Sequence, residues 1–171
     1  SGQCHYESLD WRGCRYLALH FHDLSGPVTV KAVRFVEMVY PFENRGDFRC
    51  SDATLTRLWR ICRDTAHAAI KDHPTDCGRE QALWVSDLDV HLRAITACFG
   101  AVQPMVKAMR QVFRVMHDDG VVPVPGPVGI GYGRTEQELP WSGPPLEIAI
   151  ILRDIYWYNN DPELVRMALR K

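Results

Sequence analysis

The sequence predicts a mainly α-helical domain preceded by β-strands, and three observations carry that expectation. β-Branched and aromatic residues dominate much of the first fifty positions, the apolar spacing lengthens to a helical period at Ser51, and a Pro/Gly-rich stretch over 121–145 interrupts the helical part. The 171 residues are 46% hydrophobic and 24% charged with a formal net charge of −1, the composition of one folded soluble domain. No run approaches the roughly 18 apolar residues a membrane span needs, so no membrane partner is expected. The near-zero charge argues against nucleic acid, whose binders carry a basic excess. The opening Ser1-Gly2-Gln3-Cys4 lacks the pattern of a signal peptide.

Taken in order, Trp11 to His22 and Val28 to Tyr40 read as two strands, with Ser25-Gly26-Pro27 as the turn between them. Pro41 to Asp47 reads as a linker, which places a β-segment and linker at 1–47 and a helical region at 48–171. Ser51 or Asp52 caps a first helix with the stripe Leu55, Leu58/Trp59, Cys62, Ala66 and Ala69, stopped by His73-Pro74. A second helix is expected from Glu80 to Gly100, burying Leu88, Leu92, Ile95 and Phe99. The third carries Met105, Met109, Val112/Phe113 and Met116, with Pro104 in its first turn and Gly120 past its end. A fourth, Leu146 to Tyr158, is apolar nearly all round and so reads as covered on both sides. Asp161-Pro162-Glu163 begins a fifth. The six cysteines (Cys4, Cys14, Cys50, Cys62, Cys77, Cys98) include no Cys-x-x-Cys pair and read as reduced, buried small hydrophobes. That leaves the compartment open and leans to the cytoplasm.

The chemistry concentrates in Asp76-Cys77-Gly78-Arg79-Glu80-Gln81-Ala82-Leu83-Trp84-Val85-Ser86-Asp87. If Glu80 opens a helix, Trp84, Asp87 and His91 fall within about 40° of it, away from the apolar stripe. An indole between carboxylates suits a sugar, because the ring packs on C–H groups while a carboxylate accepts hydroxyl hydrogen bonds and another acts as general acid. The plainer alternative is a solvated charged face with Trp84 covering a neighbouring helix. On one helix Glu80 and Asp87 would stand about 10 Å apart along the axis, awkward for a retaining pair. Asp87 then reads as a sugar contact.

This run resembles the signature of bacterial α-L-rhamnosidases, an Asp-Cys-Pro opening followed by Arg-Glu, Trp and Asp. Trp11-Arg12-Gly13-Cys14-Arg15-Tyr16 is similar to the strand ending that family's β-domain, and Phe48 to Trp59 to the start of its helical barrel. Leu139-Pro140-Trp141-Ser142 and Asn160-Asp161-Pro162-Glu163-Leu164-Val165 resemble two later junctions. The resemblance implies a partial (α/α)6 barrel, its first four to five helices, preceded by strands from a β-sandwich edge. It also implies inverting hydrolysis of terminal α-L-rhamnosides, with Glu80 as general acid and Asp76, Arg79, Trp84, Asp87 and Trp141 in contact with the sugar. The family's general base comes from later in the barrel, and nothing in this chain corresponds to it. The chain is therefore expected to be part of an enzyme, weakly active or inactive alone. A rhamnoside substrate is expected, with no cofactor and no metal, and with self-association or a partner chain covering the open barrel edge. The alternatives are a non-catalytic carbohydrate-binding module and a helical-barrel glycosidase acting on another sugar.

Weaker signals remain. His20-Phe21-His22 with Asp23 puts two imidazoles on one side of a strand, but a third metal ligand is not spelled. His73 reads as a sugar contact or a helix-end cap. Gly129-Ile130-Gly131-Tyr132-Gly133 lacks the strand and helix of a phosphate loop. Tyr156-Trp157-Tyr158 reads as core packing.

Overall fold

The structure is a computed structural model, and it describes residues 3–9, 11–75, 81–120, 122 and 143–170. The chain divides into two units, Ser1–Met38 and Val39–Lys171. The described residues of the first unit form no strand, which corrects the expected β-segment. Its period-two pattern is present, with Leu17, Leu19 and Phe21 alternating along the chain, but alternation alone does not make a strand. A ladder requires a second stretch of backbone to take the N–H and C=O groups, and no described stretch does so. His20 and His22 do lie together, their rings stacked at 6.4 Å.

The second unit is helical: α1 Ala53–Ala69, α2 Leu88–Phe99, α3 Gln103–Val115, α4 Gly143–Asn159 and α5 Glu163–Ala168. Asp52 caps α1 as its type and place predict, its carboxylate accepting from the amides of Thr54 at 2.7 Å and Leu55 at 3.3 Å. Helix α2 ends at Gly100, whose left-handed φ of 61° lets its amide close on the Thr96 carbonyl. Pro104 sits in the first turn of α3, where a missing amide costs nothing. The Asp161 carboxylate accepts from the Glu163 amide at 2.9 Å and starts α5.

Helix α2 packs on α1 and α4, and α5 packs on α3 and α4. The core takes Leu88, Leu92, Ile95 and Phe99 from α2 and Met105, Met109, Val112 and Phe113 from α3, as their spacing predicts. Ile148, Ile151 and Ile155 add one stripe of α4. Three expectations fail here. The stripe of α1 is buried only at Ala66, while Leu55, Leu58, Ile61 and Cys62 are exposed. Helix α4 is covered on one side, not two, because Leu146, Tyr156, Trp157 and Tyr158 are exposed. Of the cysteines described, Cys98 alone is buried, and Cys4, Cys14, Cys50 and Cys62 face solvent as free thiols.

The segment before α1 straps the bundle. The Gly46 amide donates to the Cys98 carbonyl at 2.8 Å and the Arg45 amide to the same oxygen at 3.2 Å, so the end of α2 is satisfied from residues far back in the chain. A Cβ at position 46 would collide with the Ala97 carbonyl, so glycine is required. Phe42 stacks on Phe99 with centroids 4.4 Å apart, and His67 Nε2 meets the Tyr40 carbonyl at 3.1 Å.

Candidate functional site

The candidate run is introduced by a tight turn at the end of α1. Ile70 bridges to Pro74, and the Thr75 amide and hydroxyl both donate to the Ala69 carbonyl, at 3.1 and 2.9 Å. From α3, Lys107 donates to the Asp72 carbonyl at 3.1 Å and pairs with its carboxylate. That hydrogen bond holds the Asp72 carboxyl below its usual range. His73 is half-buried in this turn near the Gln81 backbone, and by strict geometry neither ring nitrogen has a hydrogen-bond partner among the described residues. Burial pushes its pKa down, against the pull of Asp72, and the ring is neutral near pH 7.

Asp76, Arg79, Glu80 and Trp141, like the Gly129–Gly133 run, lie outside the described residues. The chain is described again from Gln81, whose φ of 54° is left-handed, rare for a residue of this type. The expected helix from Glu80 is therefore corrected: residues 81–84 are irregular, 85–87 form a turn, and α2 begins at Leu88. Packing explains the difference. Gln81, Ala82, Leu83 and Val85 are all buried, and on a helix they would spread over about 200° of its circumference, more than one face could hide. An irregular backbone turns all four inward.

Without that helix, Trp84, Asp87 and His91 share no continuous helical face. Trp84 is half-buried ahead of the turn. Asp87 occupies the N-cap position of α2, its carbonyl accepting from the His91 amide at 3.1 Å, and His91 follows one turn along. The Asp87 side chain makes no capping hydrogen bond and is half-buried at a helix start that favours negative charge. Sequence reasoning missed Gln81 as the pivot of the run. No residue-type signal marks it, since positive φ normally falls to Gly, Asn or Asp. Asp87 before an apolar period was a legible helix start. Among the described residues no group of three or more His, Cys, Asp or Glu could hold a metal ion.

Residues 43–171 match the bacterial alpha-L-rhamnosidase six-hairpin glycosidase domain. The chain belongs to this family. A six-hairpin glycosidase domain is a helical architecture, and the five helices fit it. Membership supports a glycoside hydrolase-like function, and the match takes in the whole 76–87 run of this rhamnosidase-family chain. No curated protein and no solved structure matches it.

Proposed function

We propose that the chain supplies the acid side of an inverting α-L-rhamnosidase site. The observation that carries this reading is the family match, which spans the Asp76 to Asp87 run. In inversion, a carboxylic acid protonates the leaving glycosidic oxygen while a second carboxylate, on the other face of the sugar, activates water. Glu80 is the acid. Asp76, Arg79 and Asp87 bind ring hydroxyls, the carboxylates accepting and the guanidinium donating. Trp84 and Trp141 pack on the C–H faces. The base has no assigned residue, so the chain alone binds a terminal α-L-rhamnoside and turns it over slowly or not at all.

The test is titration and assay of the 171-residue chain with an aryl α-L-rhamnoside. Saturable binding that falls in Trp84→Ala is expected. Any residual turnover should fall in Glu80→Gln by about 10²- to 10⁴-fold, the usual contribution of a general acid, while binding persists. Turnover at ordinary enzymatic rates that survives Glu80→Gln would sink the assignment.

A further inference from the structure

The groove between α2 and α4 contains none of the residues proposed above, yet it combines features that bind sugars. It has a volume of about 460 Å³ and is lined by Arg93, Arg153, Asp154, Trp157 and Tyr158. That is within the range of small-ligand sites. Its polar part is preorganised. Asp154, its side chain only 15% exposed, pairs with Arg153 at 2.6 Å and reaches across to Arg93 at 3.7 Å. Arg93 is also held by Asp89 on its own helix, at 3.0 Å. Both guanidiniums are thus fixed by carboxylates while remaining largely exposed, and each retains N–H donors beyond those the pairs use.

Beside them stands bare aromatic surface. Trp157 is 80% exposed and Tyr158 62% exposed, whereas Ile148, Ile151 and Ile155 of the same helix are turned into the core. An exposed indole next to fixed Arg–Asp pairs offers a stacking plane for C–H groups together with donors and acceptors for adjacent hydroxyls. Charge decides the ligand class. The lining carries Arg93, Arg153 and Asp154, and Asp89, outside the lining but paired with Arg93, brings the local balance to zero. An anionic ligand therefore gains little net attraction, while a neutral saccharide loses nothing by that balance.

We propose that the α2–α4 groove is a second carbohydrate-binding site, for a neutral saccharide, with Trp157 as its platform and Arg93, Arg153 and Asp154 as its hydroxyl contacts. It would hold a glycan independently of the Asp76 to Asp87 run. The test follows the indole N–H signals of the whole chain by NMR during titration with methyl α-L-rhamnoside and with cellobiose, using glucuronate as the charged comparator.

A saturable millimolar shift of the Trp157 signal with a neutral glycoside is expected, weaker or absent with glucuronate. Arg153→Ala should weaken the neutral binding about tenfold, near 1.4 kcal/mol. Trp157→Ala, which removes an exposed side chain and should leave the fold intact by circular dichroism, should abolish it. A shift confined to Trp84 overturns the proposal while leaving the rhamnosidase reading standing. Preference for glucuronate, or a Trp157 signal unmoved by either neutral sugar, also overturns it.

Discussion

His73 couples the turn before the candidate run to pH. Its pKa is lowered from the ordinary 6.5, chiefly by burial, with Asp72 opposing and Lys107 and Lys71 assisting. Between that lowered value and 6.5 the unfolded chain takes up a proton that the folded chain does not. Stability from the neutral ring is therefore complete above about pH 6.5 and is lost as pH falls through that value toward the folded-state pKa. Denaturation midpoints measured between about pH 5 and 8 should fall on the acid side in the parent and fall less in His73→Asn. Equal slopes in the two proteins would mean that the ring is not held neutral. At the same scale, Asp52, Pro104 and Gly100 were legible because each acts through its own backbone neighbours. Gln81 was not, because its left-handed backbone is imposed by the burial of Ala82, Leu83 and Val85 around it.

Helices divide into those that carry the core and those that lend it one edge. Leu92 of α2 is fully buried, whereas Leu58 of α1 is half exposed, although both lie on apolar stripes of equal regularity in the sequence. Leu92→Ala should cost about 2–5 kcal/mol through lost transfer energy and the cavity left behind. Leu58→Ala should change stability by less than about 0.5 kcal/mol. Chemical denaturation of both variants checks the contrast, and equal losses would mean that α1 is covered in solution. Periodicity thus located the helices of the second unit and the core of α2 and α3, since those stripes find partners within the chain. It misjudged α1 and α4, because an apolar stripe records what a helix can bury and not whether a neighbour is present. The strands of the first unit failed for the same reason. Their alternation was readable, but pairing depends on a second stretch of backbone.

Across the molecule, unpartnered apolar surface dominates what the fold leaves open. On α1, Leu55, Leu58 and Ile61 are exposed together, and Leu146 is exposed on α4. Surface of this kind drives association. Sedimentation in reductant should show a concentration-dependent mass increase that weakens in Leu58→Glu, and a strictly monomeric chain at all concentrations would count against it. Reductant matters because Cys50 and Cys62 are exposed thiols of the same unit. The strap from Gly46 to Cys98 joins distant parts of the sequence. The Asp52 and Asp161 carboxylates act on amides two or three residues away, yet the Cys98 carbonyl of α2 takes its hydrogen bonds from Gly46 and Arg45, 52 and 53 positions earlier. That closure carries the entropy of a long loop, so it holds only together with the packing of Phe42 on Phe99 that offsets it.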